Sequence, residues 1–459
     1  MIKKEGFMAK ESTKDLTNGE PAKLILGFMI PVLIGMLFQQ FYSLADTAIV
    51  SHTLGVKALG AVGSTGSITF LTIGFCNGLT AGFAIPVAQR FGAGDHKALR
   101  RFVANAAWLA GICAVIFTFF CAFFCREILV FMRTPSDILD GAYSYLLPIF
   151  IGIPATVLYN LTSAIIRSLG DSKTPVYFLL LASVVNIALD LFFIVVLKSG
   201  IAGAAVATVI SQLISGIACL IYMIKNFEIL RMQKGDMRLR GREAGFLLAN
   251  GIPMGLQYSI TAIGSVILQT SVNTLGSDAV ASVAASGRIS SFFACVYDAI
   301  GSTMATYGGQ HVGARKLKHM SQGLHAAVKI DSIYAVLVFI VTLFAGKYIL
   351  MLVVDPGSIK ILNDARTFLL INISAFFLLS LVNTLRFLIQ GMGYSGFAVI
   401  AGICEMAARI IVAFFLVPNL GIIGAAFASP VAWLFADIFL IPAYIWCYKR
   451  VEMCLANDA

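Results

Sequence analysis

The chain has 459 residues, of which 59% are hydrophobic and only 12% charged, with a mean hydropathy of +0.89. A water-soluble globular chain carries about 25% charged residues, so this one lacks the charge to cover a soluble surface. At about 20 apolar residues per crossing it has room for about a dozen membrane-spanning helices. The formal net charge of +10 suggests nucleic acid only until its distribution is followed along the chain.

Residues 1–23 are polar and basic, with Lys3, Lys4, Lys10, Lys14 and Lys23. The apolar run that follows, 24–50, is too long and too late for the core of a cleaved signal, and is read as the first span. Further apolar stretches fall near 58–86, 102–125, 138–166, 174–197 and 200–224. A polar segment, 225–244, interrupts. Six more stretches follow near 245–273, 279–307, 322–346, 362–390, 394–417 and 421–447. The expectation is an all-α polytopic membrane protein of twelve helices: a tail (1–23), an N-lobe (24–224), a connecting loop (225–244), a C-lobe (245–448) and a second tail (449–459).

Lys and Arg decide orientation, because cytoplasmic loops hold their excess. Segments on the side of the N-terminus carry 22, among them Arg90, Arg100, Arg167, Arg240, Lys316 and Lys449. The opposite side carries seven: Lys57, Arg126, Arg133, Lys198, Lys347, Lys360 and Arg366. Both termini are therefore expected to be cytoplasmic, in a plasma (inner) membrane. Topology accounts for the basic excess, and nucleic acid drops out as a partner, leaving membrane lipid. The nine cysteines lie mostly in apolar runs and show no metal-binding spacing; they read as small hydrophobes.

The chain also repeats itself. Ile30-Pro31 returns as Ile252-Pro253, Leu54-Gly55 as Leu275-Gly276, and Gln89-Arg90-Phe91-Gly92 as Gln310-His311-Val312-Gly313. Gly200-Ile201-Ala202-Gly203-Ala204-Ala205 returns as Gly421-Ile422-Ile423-Gly424-Ala425-Ala426. The offsets are 221 or 222. Six spans per half is an even number, so the repeats are parallel, and two such bundles enclose a central cavity that rocking opens to either side. Since one chain holds both lobes, a monomer is expected to suffice.

Ionisable residues inside a bilayer are costly and mark function. In span 1, Gln39, Tyr42, Ser43 and Asp46 form one polar helix face. In span 5, Asn186 and Asp190 are an i, i+4 pair within an apolar run, with Thr208 in span 6 and Tyr159 and Asn160 in span 4. If the bundle brings Asp46 and Asp190 together, two carboxylates in low dielectric cannot both stay ionised and alone; they take up a proton or, with amide and hydroxyl oxygens, a Na⁺. The second half differs. Asn186 and Asp190 fall opposite Arg409 and Ala413, and Glu405 and Arg409 form an i, i+4 internal pair with a secondary place on the cavity wall. Asp298 and Gln257 are weaker cavity candidates. Lys329, Asp331, Arg386 and Asp437 are placed near span ends, where side chains snorkel to water. Pro154 and Pro430 mark expected kinks. No hydrolase, zincin or nucleotide-loop motif is present, so no enzyme activity or cofactor is expected, and an ion gradient is the remaining energy source.

Together, the parallel repeat, the two Ile-Pro openings, Asp46 in F-Y-S-L-A-D-T, the Q-R-F-G-A-G end of span 2, R-S-L-G-D-S-K-T-P (167–175), N-I-A-L-D (186–190) and the paired G-I-x-G-A-A segments resemble the multidrug and toxic compound extrusion (MATE) family. The likeness runs from about Leu24 to the C-terminus and is closest to its prokaryotic branch. It implies a secondary antiporter exporting cationic, amphipathic drugs in exchange for H⁺ or Na⁺, with a cation site at Asp46, Asn186, Asp190 and Thr208. Many relatives carry a Glu in span 7, where this chain offers only Gln257 and Gln269. A lipid-linked oligosaccharide flippase of the same superfamily is the alternative, for which more basic residues than Arg288 and Arg409 are expected in the cavity.

Overall fold

The computed structural model describes residues 13–132 and 134–457, so Lys3, Lys4, Lys10 and Arg133 lie outside the described residues. The described residues form helices and connecting turns, with no strand. In lipid every backbone N–H and C=O must be satisfied within its own segment, and long helices do this. The N-lobe contains α1 (Pro21–Leu54), α2 (Val56–Gly92), α3 (His96–Phe123), α4 (Cys125–Phe131), α5 (Leu139–Ile151), α6 (Ile153–Ser168), α7 (Lys173–Asp190) and α8 (Gly200–Asn226). The C-lobe contains α9 (Gly241–Asn273), α10 (Ser277–Gly313), α11 (Leu317–Leu350), α12 (Ile359–Ser374), α13 (Phe376–Gly391), α14 (Gly396–Ile411), α15 (Val417–Leu420), α16 (Ile422–Ala426) and α17 (Ala428–Asn457). Ten helical spans are long and apolar enough to cross a membrane alone; two bent pairs, α5–α6 and α12–α13, bring the number to twelve.

The repeat extends to irregularities of the backbone. Both bent pairs turn by 47°. A π-helical stretch follows α7 at Leu191–Val196 and α14 at Val412–Leu416. Left-handed residues recur at Gly55 and Gly276, Gly94 and Arg315, and Gly200 and Gly421, each 221 positions apart, but Gly170 and Gly393 are 223 apart. The register therefore slips by two residues in the middle of each lobe and recovers before the last span, a drift the sequence comparison did not resolve. Pro154 sits at the second position of α6, where a missing N–H is harmless, and the break itself falls at Gly152. The matching bend at Ala375 has no proline. Span 12 breaks at Phe427, three residues before Pro430.

Each lobe's first helix leans on the other lobe. Ile25, Phe28 and Met29 of α1 are buried in the C-lobe core beside Met320 and Ala327, whereas Leu247 of α9 is buried in the N-lobe core beside Phe83 and Phe102. Both ends of the described chain, residues 13 and 457, lie on this side of the molecule, the near face, where Thr17 and Gly19 touch Lys316 and His319 and Leu455 lies beside the same turn. The connection between lobes is docked on α3 rather than loose. Asp236 accepts from Arg100 Nε at 2.8 Å, Asn105 accepts from the Arg240 N–H at 2.8 Å, and Trp108 Nε1 donates to the Met237 carbonyl at 2.9 Å. Burial opposes ionisation of Asp236, but the Arg100 hydrogen bond and the Gln233 N–H outweigh it and hold the carboxyl below its usual range.

Candidate functional site: a carboxylate pair and a two-fold seal

Four helices bring one polar cluster together inside the N-lobe. Tyr42 and Asp46 come from α1, Tyr145 from α5, Asn186 and Asp190 from α7, and Thr208 from α8. The carboxyl groups of Asp46 and Asp190 are close neighbours, with the Tyr42 hydroxyl in the same cluster and Tyr145 near enough to feel both charges. With its amide nitrogen turned toward Asp190, Asn186 donates to that carboxylate at 2.7 Å and to the Tyr42 hydroxyl at 3.2 Å. Its oxygen then accepts from the Thr208 N–H at 3.0 Å and hydroxyl at 3.3 Å. Asp190 is wholly buried and Asp46 half-buried. One oxygen of each is enclosed without a partner. Two unpartnered carboxylate oxygens in one enclosure call for a proton or a cation.

Local structure sets this geometry. Asp190 is the last residue of α7, immediately before the π-helical stretch. Such a widened turn is frequent at functional positions because it re-aims the side chains around it. Asp46 lies eight residues before the end of α1, and Thr208 eight residues after the start of α8, so the cluster sits about 12 Å inside the face opposite the termini. Tyr145 is absent from the sequence reading. An aromatic within an apolar run is indistinguishable there from packing, and only the fold shows what its hydroxyl faces.

The other singled-out residues are dispersed. Tyr159 is buried and donates to the Pro175 carbonyl at 3.1 Å, and Asn160 donates to Thr156 of its own helix. Gln39 is exposed on α1. Gln257 is buried and accepts from Gln390 at 2.7 Å, inside the C-lobe. Asp298 is open to water yet deep within the protein, as expected for a wall of the cleft between the lobes, and accepts from Asn383 at 3.1 Å. Glu405 is buried between Arg386, which it contacts closely, and Arg409 at 3.4 Å. Glu405 and Arg409 are both buried and paired, as neutralising a buried charge requires an enclosed partner.

Three placements at span ends are corrected by the structure. Asp331 is wholly buried and accepts from Ser380 at 3.2 Å and Thr384 at 3.1 Å. Arg386 and Asp437 are also buried. Helices α11 and α17 extend well beyond the apolar cores read from sequence, which moves Asp331 and Asp437 toward mid-helix, whereas Arg386, five residues from the end of α13, turns inward to Glu405.

The lobes are sealed at the near face by a pair of reciprocal contacts. Gln89 at the end of α2 donates to the Gly391 carbonyl of the C-lobe at 3.0 Å, and its repeat mate Gln310 donates to the Ser168 carbonyl of the N-lobe at 2.9 Å. Any Cβ on Gly92 would lie 2.0 Å from the Gln310 oxygen, and one on Gly313 would lie 1.9 Å from the Gln89 oxygen. Deeper in, Gly78 and Gly82 of α2 touch the backbone of α9 at Met254 and Gly251. Small residues permit such close approach of helices. Within the seal a cavity of about 60 Å³ remains, lined by Arg167, Met254, Ser302, Thr306 and Phe387. Toward the far face the helices part: Gly60, Gly63 and Gly66 of α2 and Gly287 of α10 have nothing within 4 Å of where a Cβ would stand.

A family model, MatE, matches residues 31–192 and again 253–415, one copy per lobe. The chain belongs to the MatE family. A probable multidrug resistance protein, YpnP of Bacillus subtilis (strain 168), is 32% identical over 65% of this chain and 67% of its own length. A second from the same organism, YoeA, is 24% identical over 93% of this chain and 94% of its own. Among solved structures, the outward-facing conformation of a multidrug resistance MATE family transporter superposes with a TM-score of 0.88 at 23% identity, covering 97% of this chain and 98% of that one. The MatE assignment makes the protein a multi-pass membrane transporter of the multidrug efflux type and no enzyme. These matches do not favour a lipid-linked oligosaccharide flippase.

Proposed function

We propose that this MatE protein is an antiporter that expels cationic, amphipathic compounds in exchange for H⁺ or Na⁺, with Asp46 and Asp190 as the coupling carboxylates. One observation carries the reading: two carboxylates from different helices, each with an enclosed unpartnered oxygen, meet inside an apolar lobe. Asn186 fixes Asp190, Thr208 fixes Asn186, and the Tyr42 hydroxyl adds a further oxygen to the cluster. A proton or Na⁺ satisfies the pair; when it leaves, the repulsion between the carboxylates must be relieved by a rearrangement of α1 and α7, and that rearrangement is what an antiporter couples to its cargo.

The excess of Lys and Arg on the near face assigns that face to the cytoplasm of the plasma membrane. The sealed near face and divergent far face then correspond to the outward-facing state. Both lobes lie in one chain, so the monomer is the transporting unit.

The test is dye efflux in proteoliposomes under separately imposed proton and sodium gradients. Wild-type protein is expected to move a cationic dye under one of them, and Asp46→Asn to reduce that movement to the level of empty vesicles. No movement by folded wild-type protein under either gradient overturns the antiport reading.

A further inference from the structure

The described residues before the first helix, 13–20, lie across the seal. The Lys14 N–H donates to the Leu169 carbonyl of the N-lobe at 3.0 Å. The chain there passes directly over Gly170, whose φ is +89° and where any Cβ would stand 1.9 Å from the Lys14 oxygen. Two residues on, the Leu16 N–H donates to Gln310 Oε1 of the C-lobe at 2.9 Å, and the Leu16 side chain is fully buried in the C-lobe core. Lys316 Nζ donates to the Thr17 carbonyl at 3.1 Å, and His319 Nε2 contacts the Gly19 carbonyl at 2.9 Å. One end is held by each lobe, so the near face cannot open without releasing one of them.

The C-lobe end is anchored through an imidazole chain whose protons can be counted. His311 Nδ1 is 2.7 Å from the Tyr307 carbonyl, and a carbonyl only accepts, so that nitrogen carries a proton. His319 Nε2, facing the Gly19 carbonyl, must carry one for the same reason. Between His311 Nε2 and His319 Nδ1, 2.8 Å apart, lies a third. Three N–H protons on two rings give the pair one positive charge. Removing one leaves two lone pairs facing each other at one link of the chain, at the Tyr307 carbonyl, between the rings or at the Gly19 carbonyl, and weakens the anchor as a whole.

We propose that Lys14–Gly19 is a strap that holds the near face shut, and that its hold is set by the proton count of the His311–His319 pair. The groups around the pair pull both ways. Burial opposes the extra proton most strongly, and Arg315, Lys316 and Lys318 act with it, whereas the Tyr307 carbonyl, Asp15 on the strap and Glu452 on α17 favour it; Tyr307 and Tyr448 stay neutral neighbours. Burial tends to raise Asp15, but its bonds from Thr17 and Asn18 and the Lys316 charge outweigh this and hold it below the ordinary carboxylate range. Asp15 therefore keeps its charge throughout the imidazole range, and the pair is the element that switches. The strap is fastened at acid pH, where the pair carries its third proton, and released as rising pH removes that proton. This inference needs only that the lobes part at the near face, and is independent of cargo and coupling ion.

The experiment is hydrogen exchange of the full chain in lipid nanodiscs from about pH 4 to about pH 8, following the Lys14 and Leu16 amides after correction for intrinsic rates. Wild-type protection is expected to fall about tenfold or more on going from the acid to the alkaline end. His319→Gln, which can still donate to Gly19 but does not titrate, is expected to abolish the pH dependence. Gly170→Ala is expected to strip protection at every pH; if core amides of α10 show it misfolded, Gln310→Ala removes the Leu16 anchor without added bulk and takes its place. Wild-type protection that is flat with pH overturns the proposal, as does a wild-type pH dependence that survives in His319→Gln.

Discussion

In the N-lobe, Asp46 and Asp190 face each other with enclosed oxygens left unpartnered, whereas in the C-lobe Glu405 is taken up by Arg386 and Arg409. The contrast is between two carboxylates that face each other and one whose charge is answered by arginines of its own lobe. Asp190→Asn is therefore expected to abolish gradient-driven dye efflux as fully as Asp46→Asn while leaving thermal unfolding in detergent near that of wild type; a variant that still transports at the wild-type rate removes Asp190 from the coupling site. Arg386→Met is expected to act on stability instead. It leaves a buried carboxylate short of one partner, a loss of about 3–5 kcal/mol, with the double variant Arg386→Met/Glu405→Gln recovering part of it. The measurement is again thermal unfolding, and a single variant as stable as wild type means the Arg386 contact contributes nothing. Asp46, Asn186 and Asp190 stand out in the sequence because a polar group in an apolar run has few structural excuses. Tyr145 does not, because its ring and its hydroxyl give opposite signals. Asp331 and Asp437 were misplaced because hydropathy locates the apolar core of a span and not the ends of its helix, and Arg386 because its partner Glu405 lies on another helix.

Helix α2 and helix α10 end in the same four-residue pattern, Gln-x-x-Gly, and each end is pressed against the other. The glutamines reach across to carbonyls of the opposite lobe while the glycines let the two backbones touch. Gly313→Ala places a methyl against the Gln89 carbonyl, which is backbone and cannot swing aside. The expected outcome is a seal that no longer closes, visible by pulsed electron–electron distance measurement as a longer separation between spin labels at Lys97 and Lys318. A distance distribution unchanged from wild type means that the seal does not depend on this contact. The repeat was legible at these ends because glycine and glutamine survived in register. The 47° bends at Gly152 and Ala375 were not: only one has a proline nearby, and neither break falls on it. A bend in a bundle is set by what the helix packs against as much as by its own residues.

The connection between the lobes shows how far the molecule as a whole departs from two bundles on a string. It is clamped to α3 through Asp236, Asn105 and Trp108. Because the folded Asp236 carboxyl is held below its ordinary value of 3.8, docking is fully supported above that value and is lost as pH falls below it. Trp108 reports on this directly. In a Trp433→Phe/Trp446→Phe background its fluorescence is expected to shift on acidification below about pH 4, and Asp236→Asn is expected to show the shifted spectrum already at neutral pH. A neutral-pH spectrum identical in the two proteins means that the ion pair does not hold the loop. The sequence by itself determined the membrane class, the number of spans, the parallel duplication and the residues of the carboxylate pair, because each follows from composition, period or the cost of a charge in an apolar run. The tertiary structure alone decided that α1 and α9 cross onto each other's lobes, that the near face is the closed one, that Glu405 is answered from two sides and that residues 14–19 lie across the seal. Those are contacts between segments up to about 300 positions apart, and nothing in a local pattern of residues records which distant surface will lie against it.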